Sequence, residues 1–336
     1  MTRPKLAFAM SKARTRYVFE PDLLARLATA CDILDTEPIE DFATPRARRL
    51  LAETEILVTG WGCPVVDARV IAMAPRLKLI AHSAGTVKYL IEHEIYEAGI
   101  AVTHAADANA IPVAEYTLAA IIFANKQVFR LRQLYLADHS RRLAHEVMDQ
   151  PIGNYRRTVG LIGASRIGRK VAAFLEPFDF DVLLYDPYVH SGDPVTAFAE
   201  LVELDDLLAN SDVVSVHAPS LPSTRHMLGV RELGLMRDGA TLINTARGAL
   251  IDEDALLAEL RTGRIDAVID VTDPEIPPPD SEFYTLDNVF LTPHVAGAAG
   301  TERARLGRIT VEEIERFIAG EPMRFAIEPA ALPLLA

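Results

Sequence analysis

Residues 158–168 read Thr-Val-Gly-Leu-Ile-Gly-Ala-Ser-Arg-Ile-Gly. A short apolar run ends at Gly163, and an amphipathic helical pattern opens at once over residues 166–175. The arrangement is nearly Gly-x-Gly-x-x-Gly between a strand and a helix, with Gly163, Ser165 and Gly168 in the three special positions. Gly163 permits the tight turn, and Gly168 lets helix and strand pack closely. The middle position lets the backbone approach a pyrophosphate at the helix N-terminus, where free amides and the helix dipole favour an anion. Ser165 stands there in place of glycine; its hydroxyl can donate to a phosphate, and its Cβ takes room. The next apolar run, 181–185, ends at Asp186, 23 residues past Gly163. A carboxylate about 20 residues on binds a ribose 2′-hydroxyl and repels a 2′-phosphate. Pro187 and Tyr188 follow it, with no arginine beside it. The expected cofactor is therefore NAD rather than NADP.

On both sides of this turn, short apolar runs alternate with amphipathic stretches. Candidate strands before it are residues 5–10, 31–35, 56–59, 77–82 and 101–104, with helical patterns at 22–29 and 64–73. From the turn onward, the strands read 158–162, 181–185, 213–217, 241–244, 267–271 and 289–291. Helical patterns lie between them at 166–175, 201–209, 230–235 and 253–260. Most of these runs are continuously apolar, as strands covered on both faces of a parallel sheet are. Two longer helical patterns join the series. One starts after Asn109 with Pro112 in its first turn, where a missing amide is tolerated, and runs past Lys126 toward Leu136. The other spans about 302–317 and stops at Gly320, a C-terminal cap; the tail after Pro322 reads as irregular. The expectation is an α/β protein of two doubly wound parallel-sheet domains. The first comprises residues 1–107 and 297–336, and the second, 108–296, is inserted in it.

Size and charge narrow the function. The 336 residues are 50% apolar and 24% charged, enough for two cores and too apolar for disorder. With 34 Lys+Arg against 47 Asp+Glu, the formal net charge is -13, which argues against nucleic acid as a partner. Cys31 and Cys63 are the only cysteines. They make no disulfide framework and no metal motif, as befits reduced thiols in the cytoplasm. The opening run MTRPKLAFAM is too short for a secretion signal and reads as a first strand. No run approaches the ~18 apolar residues of a spanning helix.

Ligands of open parallel sheets bind beyond the carboxyl ends of the strands. Three candidate strands in the second half end on chemistry. Residues 241–246 lead to Arg247-Gly248, residues 267–271 to Thr272-Asp-Pro-Glu275, and residues 289–293 to His294. An arginine clamps a carboxylate with two parallel hydrogen bonds. A histidine moves a proton near neutral pH, and a glutamate behind it fixes its tautomer.

These segments carry a resemblance. VGLIGASRIGRKVA (159–172), DVVSVHAPSLPSTRHMLG (212–229), LINTARGALIDEDALLAEL (242–260), IDVTDPE (269–275) and NVFLTPHVAG (288–297) are similar to motifs of the D-isomer-specific 2-hydroxyacid dehydrogenases, and ANAIPVAEYTLA (108–119) resembles that family's inter-domain helix. The resemblance implies a flavodoxin-like substrate domain carrying an inserted Rossmann-like NAD domain, with dimerisation through the latter. It implies hydride transfer between NADH and a small 2-oxo acid or D-2-hydroxy acid. Arg247 would hold the carboxylate, His294 act as acid/base and Glu275 orient His294. Implied cofactor contacts are Arg166 and Ile167 at the pyrophosphate, Asp186 at the ribose, and Ala218, Pro219 and Thr224 on the adenosine side. Thr245, Ala246, Asp270, His294 and Gly297 would lie near the nicotinamide. The turn His82-Ser-Ala84-Gly85-Thr86 resembles the loop whose amides bind the substrate carboxylate, and Trp61-Gly62 is placed beside the substrate by the same analogy. Departures are Ser165 for glycine and Ile276 where proline is common. Glutamate at 275 disfavours formate dehydrogenase, which carries glutamine there. The end at Ala336 suggests no regulatory C-terminal domain of the kind found in longer phosphoglycerate dehydrogenases. Two rival functions share the scaffold: a non-catalytic NAD(H)-binding sensor or corepressor-like scaffold, and NAD-linked oxidation of another small anion.

Overall fold

In the computed structural model, which describes residues 3–334, every strand-to-strand ladder between named strands is parallel. The chain divides into two compact units, one of residues up to Ala110 together with those from Ala298 onward, the other Ile111–Gly297.

The first unit holds β1 (Lys5–Ala9), β2 (Asp32–Ile33), β3 (Ile56–Thr59), β4 (Leu79–His82) and β5 (Ala101–His104), in the order β2-β1-β3-β4-β5. Side chains alternate across a strand, and both sets are buried here. Leu6 and Phe8 pack with Leu27, Val311 and Ile314 on one face, and Ala7 and Ala9 pack with Leu51, Leu57 and Ile80 on the other. Coverage on both faces explains why these segments read as unbroken apolar runs. The register sets Thr59 beside His82 and His82 beside His104, so β3, β4 and β5 end level. The tail is more ordered than its sequence suggests. Ala326 bridges Thr103 in antiparallel sense, and the buried Glu313 carboxylate accepts from the Arg324 and Phe325 amides at 3.1 and 2.9 Å.

The second unit holds β6 (Arg157–Ile162), β7 (Phe180–Tyr185), β8 (Glu200–Leu201), β9 (Val213–Val216), β10 (Thr241–Asn244), β11 (Asp266–Ile269) and β12 (Val289–Leu291), ordered β12-β11-β10-β9-β6-β7-β8. The order reverses between β6 and β9, and the crevice beyond the strand ends at such a switch point is where ligands bind. β8 has only two residues and no apolar run of its own, so sequence periodicity passes over it.

The long helical pattern differs from expectation. Helix Ala106–Asn125 begins earlier, because His104 Nδ1 accepts from the Ala106 amide at 2.9 Å and supplies a cap. Pro112 therefore lies inside the helix rather than in its first turn. The pattern does not run on unbroken to Leu136: Gln127 has φ +48°, and a separate helix, Val128–Asp138, follows. Gly320, with φ +69°, does close helix Ala304–Ala319.

Two buried histidines make stability acid-sensitive. Burial pushes His82 down to about 3, with His104 nearby adding to the effect, and burial alone takes His217 down to about 3. The unfolded chain binds these protons below about 6.5 and the folded chain does not. Their contribution is complete above pH 6.5 and falls away as pH drops toward 3. At pH 4.5 each histidine should cost about 3 kcal/mol relative to neutral pH. Chemical denaturation from pH 7.5 to 4.5 should show that fall, and His217→Asn should flatten the slope by about one proton. A slope unchanged by the substitution would contradict this account.

Candidate active site

The turn after β6 has the shape a pyrophosphate needs. Gly163 has φ +101°, and a Cβ there would lie 2.6 Å from the Ala218 amide nitrogen. A Cβ on Gly168 would lie 2.0 Å from the Gly163 carbonyl oxygen. Neither position admits a side chain. Ser165 is the N-cap of helix Arg166–Leu175, its Oγ accepting from the Gly168 amide at 3.3 Å. The hydroxyl thus does the capping work for which serine is suited, and Arg166 and Ile167 occupy the first turn, where amides lack intrahelical acceptors. Asp186 closes the turn from the end of β7: Oδ2 accepts from the Ala164 amide at 2.7 Å and Oδ1 from Tyr188 at 2.9 Å. Beyond β9, Thr224 Oγ1 donates to the Pro219 carbonyl at 2.6 Å and accepts from the Leu221 amide at 2.9 Å, which shapes the 218–224 loop. The glycine cradle, the capped helix and the acid at the β7 end all fit a dinucleotide.

Three further loops leave the same edge. Asn244, at the end of β10 and 1% exposed, accepts from the Ala246 amide at 3.0 Å and donates to the Arg247 carbonyl at 2.9 Å. One side chain thereby folds the loop that presents Arg247. Thr245 hydrogen-bonds Thr117 at 3.1 Å. A Cβ on Gly248 would lie 2.1 Å from the Thr272 carbonyl carbon, so only glycine lets the Arg247 loop touch the loop that leads to Glu275. That second loop is held by Thr272 Oγ1, which donates to the Glu275 carbonyl at 3.1 Å, and by Glu253, which accepts from the Asp273 amide at 2.7 Å. Burial raises the Glu253 carboxyl above its ordinary value.

Glu275 Oε1 bonds His294 Nδ1 directly. Both side chains are about half exposed, at 57% and 44%. With Nδ1 occupied, Nε2 is the ring atom available to a reacting group. His294 itself has φ +53°, rare for a residue with a side chain. Its amide donates to the Asp270 carbonyl at 2.9 Å and the Thr292 carbonyl at 3.0 Å. The Asp270 carboxylate, 2% exposed, accepts from Thr292 Oγ1 at 2.6 Å, Val295 at 2.8 Å and Ala296 at 3.0 Å. Tyr116 extends the network through Thr292 Oγ1 at 2.8 Å, its phenol raised by burial. Asp270 thus organises residues 292–296 and holds the strained His294 backbone. Gly297 is the last residue of this unit.

The other candidates lie on the first unit, at the neighbouring ends of β3 and β4. Thr59 Oγ1 bonds His82 Nδ1 at 2.9 Å, and His82 also bonds the Thr86 backbone. The Ser83 amide and hydroxyl both donate to the Thr59 carbonyl, at 2.8 and 2.7 Å. The turn through Ala84, Gly85 and Thr86 is fixed by this relay. A Cβ on Gly85 would lie 3.5 Å from Asn109 Nδ2. Trp61 and Gly62 follow β3, and Gly62 has φ +77°. Asn244, Glu253, Thr59, Tyr116 and Thr292 escaped the sequence reading. For Thr59, Asn244 and Thr292 the signal is a polar residue at or just past the end of an apolar run, which alone does not separate a loop clamp from a solvated terminus; Tyr116 and Glu253 lie in helices and carry no such mark.

Asp270→Asn keeps the size and replaces one acceptor oxygen by an NH2 facing an amide. Leaving such a buried group unsatisfied costs about 1–3 kcal/mol. Thermal unfolding should show that loss. Wild-type stability would contradict the clamp.

Residues 118–296 match the sequence profile of the NAD binding domain of D-isomer specific 2-hydroxyacid dehydrogenases. The chain is 34% identical over 265 residues to a D-3-phosphoglycerate dehydrogenase of Archaeoglobus fulgidus, covering 78% of this chain and 49% of that protein. It therefore spans about half the length of the phosphoglycerate dehydrogenases it matches. It is 31% identical over 336 residues to a glyoxylate reductase of Thermofilum pendens, covering 96% of this chain and 93% of that one. The TT0316 protein of Thermus thermophilus superimposes with a TM-score of 0.74 at 28% identity, covering 96% of this chain and 100% of that one. The chain belongs to the D-isomer specific 2-hydroxyacid dehydrogenase family, and most of its second unit is that family's NAD binding domain.

Proposed function

We propose that this chain is an NAD-dependent D-2-hydroxyacid dehydrogenase that interconverts a small 2-oxo acid and its D-2-hydroxy acid. The hydrogen bond between His294 Nδ1 and Glu275, on the loop that Gly248 seats against the Arg247 loop, carries the reading. Gly163, Ser165, Gly168 and the amides of Arg166 and Ile167 would hold the pyrophosphate, and Asp186 the ribose. Ala218, Pro219 and Thr224 would line the adenosine side, and Thr245, Ala246, Asp270 and Gly297 the nicotinamide side. When bound, NADH supplies the hydride that reaches the carbonyl carbon. Arg247 grips the substrate carboxylate through its forked guanidinium. Protonated His294 gives its Nε2 proton to the carbonyl oxygen, and Glu275 holds the ring and balances its charge. Oxidation runs the same proton back onto neutral Nε2. On the first unit, we assign the amides of Ala84, Gly85 and Thr86 to the carboxylate, and Trp61 and Gly62 to the substrate side chain.

The reading extends to a cytoplasmic homodimer. Both cysteines are free, and no helix among the described residues is long and apolar enough to cross a membrane. A groove of about 1010 Å³ in the second unit lies away from the catalytic loops, at the amino ends of β10–β12 and along helix Val128–Asp138. Phe129, Leu134, Leu136 and Phe290 line it, and Leu136 and Phe290 are exposed. Such a patch suits a second copy of the chain.

Turnover of NADH with glyoxylate, hydroxypyruvate and larger 2-oxo acids tests the function, with His294→Gln as the control that retains NADH binding. Turnover abolished in the variant supports it. NADH binding without turnover of any acid would favour a non-catalytic NAD(H)-binding role. Asp186 should give a kcat/KM for NADH at least tenfold above that for NADPH; equal values would contradict its assignment. Glu275→Gln should lower kcat by about tenfold to a hundredfold with NADH affinity intact, since the general acid loses its orienting charge. An unchanged kcat would remove Glu275 from the mechanism.

A further inference from the structure

Trp61 follows β3 two residues past Thr59, next to the turn assigned above to the substrate carboxylate. The two loops touch: a Cβ on Gly60 would lie 2.9 Å from Ser83 Oγ. The indole rests on the apolar cluster of Val18, Ala105, Ala108, Ala298 and Leu306. Over its ring lies the Arg303 guanidinium, 5.5 Å from the centroid. Arg303 is only partly exposed, and its Nε donates to the Ala298 carbonyl at 3.3 Å. Among the described residues no carboxylate lies within ion-pair distance of it, and its two terminal nitrogens have no hydrogen-bond partner.

This stands out in an acidic chain. With net charge -13, most half-buried arginines here find an acid: Arg264 pairs with Glu259 at 2.9 Å, and Arg157 with Asp212 at 3.0 Å. Arg303 stacks on an aromatic face instead. That contact orients the guanidinium and leaves its forked donors unspent. The loop after β1 adds positive charge on the same side. The Ser11 amide donates to the Trp61 carbonyl at 2.9 Å, and Thr15 packs 3.2 Å from where a Gly60 Cβ would stand. This loop carries the exposed Arg14 and Arg16.

We propose that Arg303, held over Trp61, receives a second negative charge at the far end of the substrate, so that the enzyme prefers dianionic 2-oxo acids. The proposal rests on the activity assigned above and names the substrate class for it. The shared chemistry is a carboxylate or phosphate gripped by a guanidinium fork.

Two length-matched pairs, 2-oxobutyrate against oxaloacetate and 2-oxopentanoate against 2-oxoglutarate, and a third pair, hydroxypyruvate against its phosphate ester, test it in steady-state reduction with NADH. The wild type should favour at least one dianion over its partner by tenfold or more in kcat/KM. The carboxylate pairs and the phosphate pair show which anion is taken. Arg303→Gln should erase that preference through KM, leaving the monoanions within threefold, and Arg303→Lys should restore part of it. Equal loss for both members of every pair would make Arg303 merely structural and overturn the proposal, as would a wild type with no dianion preference. Monoanions reduced without a dianion preference sink this proposal alone. No reduction of any acid sinks it together with the activity it rests on.

Discussion

The buried carboxylate of Asp270 is the constraint on which the sheet edge carrying His294 depends. It takes hydrogen bonds from Thr292, Val295 and Ala296, and the carbonyl of the same residue takes one from the His294 amide. A charge placed in the interior is tolerable only when its lone pairs are filled. Here the filling groups all belong to the segment that carries the histidine. The left-handed backbone of His294, unfavourable by itself, persists because this network determines it. The imidazole is thereby aimed from its backbone, and Glu275 has only to hold Nδ1.

The same logic of close approach runs through the rest of the second unit. Gly163, Gly168 and Gly248 each stand where a Cβ would meet backbone at 2.0–2.6 Å. The first two bring the helix start, β6 and the loop after β9 together beside the switch in strand order. The third presses the Arg247 loop onto the Glu275 loop. Parallel strands ending level supply the edge, and glycines let the loops crowd there. In the first unit the relay from Thr59 through His82 to Thr86 does comparable work with neutral groups, since burial keeps His82 uncharged. The cost is acid sensitivity, because the unfolded state offers those protons a better home.

Much of this was legible because burial on both faces leaves a sequence mark. Runs such as Ile-Leu-Val-Thr at 56–59 and Thr-Leu-Ile-Asn at 241–244 announce covered parallel strands. Helix Arg166–Leu175 declares itself through its apolar stripe. The two-residue strand β8 carries no periodicity to find. The start of helix Ala106–Asn125 depends on a histidine ring two residues upstream, and its end on a left-handed glutamine; neither follows from propensity. For the site, Arg247, Glu275 and His294 were readable as strand-end residues. Asn244 and Glu253 were not, since their role is to accept and donate to backbone across a loop whose path only the fold defines. Ser165 shows the limit within a motif: its departure from glycine is visible in the sequence, but its use as a helix cap requires the geometry.

Hydride delivery to C2 beside His294 is the central claim, and isotope transfer tests it most directly. The enzyme is incubated with a prochiral 2-oxo acid and NADH deuterated at the nicotinamide C4, and the product is analysed by mass and by chiral chromatography. The account predicts a 2-hydroxy acid with one deuterium bonded to C2 and D configuration, formed by the wild type and not by His294→Gln. A product lacking deuterium at C2, or one of L configuration, would contradict it.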